Sequence, residues 1–245
     1  MQYRIIIFFI LIFQITFISC GYDEEELYEP QLNVCCFLQG YQRPRCVIVD
    51  RSYSMDEPSE GFIPDAQVIM RGKWFVDTFA FSDFDGAYHS TNPFSNIYPE
   101  STYSLTVFRQ DFDTVFAQTC VPGDFTIRFP QPGDTVTRTD TLVWTKSTGA
   151  RYYYGYFVDW HQTGYHFWHI PDTTDTLVRM PIPYYLYDLL SGHYTIQIQA
   201  ADVNYLNYSQ FDENTDSLLQ AGVEGGIGVF GSFVSHDVPA YFLTE

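Results

Sequence analysis

The chain of 245 residues carries 30 acidic and 12 basic side chains, which gives a formal net charge of −18. Charge of this sign repels nucleic acid and anionic lipid headgroups, so it argues against nucleic-acid binding and against membrane attachment through a basic patch. Aromatic residues make up 19% of the chain. This composition is too apolar for a disordered protein and suits β-strands, on whose pleated surface such side chains pack.

The N-terminus has the parts of a secretory signal. Arg4 is the only charge before Cys20, an apolar run follows it, and a small residue, Ser19, precedes the cysteine. The run is shorter than the ~20 apolar residues of a membrane span, so a cleaved signal at 1–19 is favoured over an anchor helix.

Residues 17–21, FISCG, resemble the lipobox of bacterial lipoproteins, although Phe17 stands where that family usually has Leu. The resemblance implies cleavage before Cys20 and lipidation of its sulfur, and several acyl chains together give a stable anchor. An acidic cluster at 23–26 lies in the tether that spans 20–30. It is either a solvated spacer or similar to the export signal of Bacteroidota-type surface lipoproteins. We favour the second and expect a lipid-anchored outer-membrane protein that faces the cell exterior.

The remaining four cysteines would lie in an oxidising compartment, where disulfides persist. If 32–38 and 45–51 form a hairpin centred near Tyr41, Cys36 lies opposite Cys46. A Cys36–Cys46 disulfide and a set of buried free thiols both remain open. The sequence has no Cys-x-x-Cys or Cys/His metal spacing, and we expect no cofactor.

Strand patterns recur about every ten residues along the rest of the chain, which predicts an all-β sandwich or barrel. The first series is predicted at 33–38, 46–53, 66–71, 74–81, 87–90, 102–109 and 114–121. A Pro-Gly break at 122–123 separates it from the second series, predicted at 125–129, 141–145, 152–160, 165–170, 176–180, 193–200 and 227–234. Two domains are therefore predicted, at 31–122 and 123–245, with an insert at 202–224.

The second region resembles a fibronectin type III or related immunoglobulin-like domain. The resemblance is carried by PQPGD at 130–134 ahead of Trp144, and by LLSGHYTIQIQA at 189–200. It implies that Trp144 is the core tryptophan and that the hydroxyl of Tyr194 bonds back to the preceding loop. It also implies that Ile196, Ile198 and Ala200 point inward. The expected architecture is two Ig-like or fibronectin type III-like β-sandwich domains in tandem behind a lipoprotein signal peptide.

The whole chain resembles a family of uncharacterised Bacteroidota-type lipoproteins with a domain of unknown function, often found beside SusC/SusD-like transport systems. The shared segments are DGAY at 85–88, PESTYSLTV at 99–107, TCVP at 119–122 and, most specifically, GGIGVFGS at 225–232. The family has no established activity. The resemblance therefore implies architecture and location, with a SusC/SusD-like transporter or a surface glycan as partner.

An aromatic stretch at 160–169 contains the candidate ligand-binding residues. Gly164 marks a hairpin tip, and Trp160, Tyr165 and Trp168 lie close to it in the sequence. Exposed aromatic rings bind sugar rings or partner proteins, whereas packing of these rings on the core is the alternative.

Three histidines in the same stretch, His161, His166 and His169, are weak candidates for a metal site. His166 and His169 are three residues apart on a predicted strand, so they face opposite sides. No carboxylate or cysteine nearby completes a tetrahedral set, so we predict no metal.

The sequence shows no nucleophile–base signature, which predicts a protein that is not an enzyme. Two functions remain. The first is a binding or accessory lipoprotein of an outer-membrane uptake system, with a glycan or peptide ligand. The second is a structural or adhesive surface protein whose Ig-like domains make protein–protein contacts.

Overall fold

A computed structural model describes residues 28–54, 61–159, 164–169, 176–182, 190–209 and 221–244. The predicted signal peptide, Cys20 and the acidic cluster at 23–26 lie outside the described residues. Among the described residues, no helix is long and apolar enough to cross a membrane.

The described residues of the first half form seven strands, and in most of them buried and more exposed residues alternate. They are β1 (Leu32–Gln39), β2 (Ile48–Arg51), β3 (Gln67–Arg71), β4 (Val76–Ser82), β5 (Ala87–Ser90), β6 (Thr102–Phe108) and β7 (Val115–Cys120). In β1 and β7 every second side chain is buried, as expected for a strand with one face on a core.

The described residues of the second half add nine strands and one short helix. They are β8 (Ile127–Phe129), β9 (Thr135–Thr137), β10 (Thr141–Thr145), β11 (Tyr152–Asp159), β12 (Gly164–His169), β13 (Leu177–Pro181), β14 (Gly192–Ala201), α1 (Val203–Ser209), β15 (Val223–Glu224) and β16 (Ile227–Leu243). The predicted insert at 202–224 thus contributes α1 and β15.

The described strands form three sheets. One has the order β15-β7-β6-β3-β4-β5, a second has the order β13-β10-β8, and a third has the order β12-β11-β14-β16-β1-β2 with β9 paired to β16. The inner faces of these sheets bury one hydrophobic core cluster that runs through both halves of the chain. The prediction of an all-β protein built from tandem β-sandwiches is confirmed.

Strand β16 contributes to both sandwiches, which the sequence patterns did not reveal. Its first part pairs in parallel with β1, from Asn33↔Ile227 to Gln39↔Phe233. Its second part pairs antiparallel with β14, from Ala201↔Phe233 to Gly192↔Phe242. The strand of 17 residues is about 55 Å long at ~3.3 Å per residue. The domain division at 122–123 stays a prediction, although residues 227–233 pair with the first range.

Gly228 explains part of the GGIGVFGS segment. Its φ is +121°, and a Cβ added there would lie 2.0 Å from the carbonyl oxygen of Val34. Only glycine combines this backbone conformation with such a close approach of β16 to β1.

The core residues predicted from the Ig-like resemblance are confirmed. The side chain of Trp144 is fully buried. The hydroxyl of Tyr194 donates a hydrogen bond to the carbonyl of Leu190 at 3.0 Å, which is the predicted bond to the preceding loop. The inward-facing residues of β14 are all buried, namely Ile196, Ile198 and Ala200.

Of the two alternatives, a Cys36–Cys46 disulfide or free thiols, the structure has the second, because the described cysteines are all free thiols. In the β1–β2 pair Cys35 lies opposite Ile48, a register one residue away from the hairpin centred near Tyr41. A one-residue shift changes which side chains face each other across the two strands. Cys36 accordingly points into the core, where burial raises the pKa of its thiol well above the usual value.

Candidate binding surface

The outer face of the β12-β11-β14-β16 sheet carries two tyrosines of β11. Along β11 the buried Tyr153 and Phe157 alternate with the half-buried Tyr154 and Tyr156. The rings of Tyr154 and Tyr156 are nearly parallel, with 13° between their planes and 5.9 Å between their centroids. Strand alternation therefore places the two phenols side by side on the outer face.

Two glutamines of β14 lie beside these tyrosines. The register sets Tyr154 opposite Gln199 and Tyr156 opposite Gln197. Gln199 Nε2 donates to Gln197 Oε1 at 3.2 Å, and Gln197 Nε2 donates to Asp237 Oδ1 of β16 at 3.0 Å. We call these five residues the tyrosine–glutamine surface. It combines aromatic rings with amide groups whose orientation is set by hydrogen bonds.

Helix α1 covers one side of this surface and adds two tyrosines. The ring of Tyr205 lies 6.1 Å from that of Tyr154 and 4.9 Å from that of Phe37, and Tyr208 lies 5.4 Å from Phe37. Burial, together with the neighbouring Tyr156 and Tyr154, raises the pKa of Tyr205 to about 12. Its hydroxyl is therefore a neutral group at physiological pH.

Asp202 fixes the start of α1. Its Oδ1 accepts a hydrogen bond from the backbone N–H of Tyr205 at 2.8 Å, which is an N-cap. Its Oδ2 accepts from the hydroxyls of Thr119 and Ser232. Asn204 Nδ2 donates to carbonyls of β7 and β16 at 2.8 and 2.9 Å. Burial raises the pKa of Asp202, although the hydrogen bonds that its own carboxylate accepts oppose the shift. The network attaches α1 to strands of both sandwiches.

The tyrosine–glutamine surface lies in the sandwich that is remote from the start of the described chain. β16 runs parallel to β1 and then continues beyond it into the second sandwich. β11 runs in the same direction as β16, since both pair antiparallel with β14. Asp159 and Gly164 therefore lie at the end of the sheet that is farthest from Leu32.

A pocket of ≈ 400 Å³ lies on the same outer face, at the end of the sheet near Asp159. His193 and Thr195 of β14 and Tyr241 of β16 belong to its lining, and the rings of His193 and Tyr241 are 5.1 Å apart. The pocket is large enough for a single sugar ring or a short peptide side chain.

The predicted aromatic residues fall only partly within the described chain. The backbone of Trp168 pairs with Tyr154 and that of Tyr165 pairs with Phe157, while Trp160 lies outside the described residues. Trp168 thus belongs to the same register row as Tyr154 and Gln199. The binding role of the three predicted aromatics stays a prediction.

The three histidines are spread along the same hairpin. His166 is exposed and pairs with Tyr156 through its backbone, whereas the backbone of His169 pairs with the inward-facing Tyr153. His161 lies outside the described residues. Within the described ranges, no three His, Cys, Asp or Glu side chains are grouped to bind a metal ion.

Sequence patterns did not single out Tyr154, Tyr156, Gln197 and Gln199 as a surface. A usable signal was present, because Gln197 and Gln199 alternate with the apolar Ile196 and Ile198 and must face away from the core. Which strand lies beside them depends on sheet order, which strand patterns alone do not determine.

Comparisons with known proteins add little. No family model matches the chain, and no curated protein matches it. A solved complex of Dpr11 IG1 with DIP-gamma IG+IG2 is similar at 9% identity, over 89% of this chain and 100% of that chain, with a TM-score of 0.20. The chicken interferon gamma receptor alpha chain is similar at 9% identity, over 71% of this chain and 89% of that chain, with a TM-score of 0.19. Because these scores are so low, the assignment of β-sandwiches rests on strand pairing and the buried core.

Proposed function

We propose that this chain is a non-catalytic binding lipoprotein, and that its tyrosine–glutamine surface takes a glycan or peptide ligand for an outer-membrane uptake system. The observation that carries the proposal is the pair of parallel tyrosine rings beside a hydrogen-bonded chain of amides on the outer face of a sheet. Aromatic rings pack on sugar rings and on apolar side chains, and oriented amides supply directional hydrogen bonds.

The position of this surface supports presentation to a partner. With a lipid on Cys20, the first sandwich would be nearest to the membrane and the tyrosine–glutamine surface would lie beyond it. We place the chain on the outer membrane, facing the exterior, with a SusC/SusD-like transporter or a surface glycan as its partner. The sequence features behind this placement are the FISCG segment and the acidic cluster at 23–26.

A structural or adhesive role is the second candidate, and the outer face of the six-stranded sheet favours it. Phe108, Phe116 and Val76 are exposed on this face at 49%, 56% and 62%. A pocket of ≈ 420 Å³ beside Phe116 adds a concave site. Apolar side chains on a flat sheet face are a common basis for protein–protein contacts.

One pair of variants separates the two candidates. The mature chain is immobilised, and glycans, peptides and solubilised outer-membrane proteins are passed over it. Tyr154→Ala/Tyr156→Ala should abolish retention of a glycan or peptide, whereas the matched variant Phe108→Ala/Phe116→Ala should leave it unchanged. The reverse pattern, with a protein retained through the phenylalanines alone, would support the adhesive role. Retention that neither variant alters would rule out both surfaces.

The anchor has its own test. Radioactive fatty acid should label the native protein in cells and should not label a Cys20→Ser variant. Protease added to whole cells should degrade the wild-type chain if it faces the exterior. Full protection in intact cells, with degradation after lysis, would contradict the outward orientation.

A further inference from the structure

The loop between β1 and β2 forms a pocket that concentrates positive charge in a strongly acidic protein. The pocket is open to solvent, has a volume of ≈ 390 Å³ and is lined by Gln42, Arg43, Pro44, Arg45, His89 and Ser90. The whole chain has only 12 Lys and Arg residues, and two of them line this one pocket. The pocket lies in the first sandwich, apart from the tyrosine–glutamine surface.

Backbone hydrogen bonds fix the loop on both sides of the arginines. On one side, Tyr41 N–H donates to the carbonyl of Ile97 at 2.7 Å, and Ile97 N–H donates to that of Gln42 at 2.8 Å. On the other side, Val47 and Tyr88 exchange N–H···O bonds of 2.9 and 2.8 Å. Because the loop is fixed before binding, a ligand need not order its backbone.

The charge of the arginines is not neutralised within the pocket. Both side chains are exposed, and among the described residues none of the ion pairs includes Arg43 or Arg45. Asp85 is bonded to His89 instead, with its Oδ2 at 2.8 Å from Nε2, while Nδ1 of His89 lies 3.1 Å from the carbonyl oxygen of Arg45. The imidazole thus lies between the carboxylate and the loop.

We propose that this pocket binds an oxyanion, namely the carboxylate, sulfate or phosphate group of a small ligand. The planar guanidinium group presents pairs of N–H donors that match the oxygen spacing of such groups, and two arginines line this one cavity. The amide of Gln42 adds a neutral donor. The cavity is within the size range of small-ligand sites, so a sugar acid fits it as well as a free inorganic anion does.

The remainder of the protein is acidic and repels anions, but this repulsion is screened beyond about 8 Å at physiological ionic strength. Binding therefore depends on contacts inside the pocket. An oxyanion that reaches the two guanidinium groups replaces water with charge-assisted hydrogen bonds, which are the stronger kind in proteins. The proposal of an oxyanion site does not depend on the proposed function, so each can be tested and rejected separately.

Isothermal titration calorimetry of the mature chain tests the proposal, with sulfate, phosphate and glucuronate as separate probes. We expect saturable binding of at least one probe. Arg43→Gln/Arg45→Gln should weaken it by about tenfold or more, which corresponds to about 1.4 kcal/mol. The control Arg71→Gln/Lys73→Gln removes the same charge from two exposed positions in and beside the β3–β4 turn and should leave the affinity unchanged.

The three probes also separate the sources of the oxyanion. Binding of glucuronate alone would indicate a sugar acid, and binding of an inorganic ion would indicate a free anion. No saturable heat from any probe would overturn the proposal, and so would equal affinity in the two double variants.

A second measurement needs no variant. Phenylglyoxal modifies accessible arginines, and mass spectrometry locates the modified sites. The bound probe should slow modification of Arg43 and Arg45 but not of Arg71. Equal rates at all three with and without the probe would also reject the site.

Discussion

Replacing Asp202 by Asn tests how a buried carboxylate fixes α1 to both sandwiches. Asp202 is 4% exposed and accepts hydrogen bonds from the hydroxyls of Thr119 and Ser232 and from the backbone N–H of Tyr205. Asn keeps one acceptor oxygen and turns the other into a donor that faces two hydroxyls. Both hydroxyls would have to turn from donating to accepting, and we expect this disruption of the buried network to lower the free energy of unfolding by about 1–3 kcal/mol.

The pH dependence of this loss follows from the pKa of Asp202. Burial raises that pKa in the folded state above its ordinary value of 3.8. The carboxyl group therefore contributes its full stabilisation below this ordinary value and loses part of it as the pH rises through the raised folded pKa. Asn does not titrate, so the substitution should cost most at low pH and least at neutral pH.

Urea unfolding followed by tryptophan fluorescence, from about pH 3 to about pH 8, measures the cost. Asp113→Asn is the matched control, because Asp113 is exposed and the substitution removes the same charge. The control should show no comparable difference. A cost for Asp202→Asn that stays constant, or that grows toward neutral pH, would refute the reasoning that burial dominates at this site.

Three further outcomes are expected. Gly228→Ala should lower the free energy of unfolding by about 3 kcal/mol, because the new Cβ would meet a β1 carbonyl at 2.0 Å with φ at +121°. In Gly192→Ala the atom nearest to the new Cβ would be 3.7 Å away, so the same urea titration should show a smaller loss in the free energy of unfolding. Equal losses in the two variants would contradict the β1–β16 pairing. Tyr194→Phe should cost about 1 kcal/mol in thermal unfolding through loss of its hydroxyl bond, and an unchanged Tm would argue against that bond. With Ellman's reagent the exposed Cys120 should react first, while the buried Cys36, with its raised pKa, should react only on unfolding; equal rates would contradict the burial difference.

Local alternation was enough to locate most strands from sequence. The segments predicted at 87–90 and 141–145 coincide with β5 and β10. Period-two patterning is a property of a few consecutive residues, so it can be read without knowing the partner strand. β9 and β15 were not predicted, because three and two residues show little or no period; β8 is as short as β9 but lies within a longer predicted segment.

The candidate site was less predictable than the strands. Tyr194 and Trp144 could be placed because they belong to a local motif of Ig-like domains. The tyrosine–glutamine surface could not, since it joins residues of β11, β14 and β16 that are far apart in sequence. Likewise, the Arg43 and Arg45 pocket needs β5 to lie beside the β1–β2 loop.

By itself, the sequence determined that this chain is all β, where most of its strands lie, and which residues of the second sandwich are in the core. The tertiary structure alone decided that β16 changes partners near Phe233 and so joins the two sandwiches. It also decided the β1–β2 register, in which Cys36 does not lie directly opposite Cys46. Alternation encodes which face of a strand is buried, whereas partner and register come from contacts between distant segments, whose energies are set only when the whole core packs.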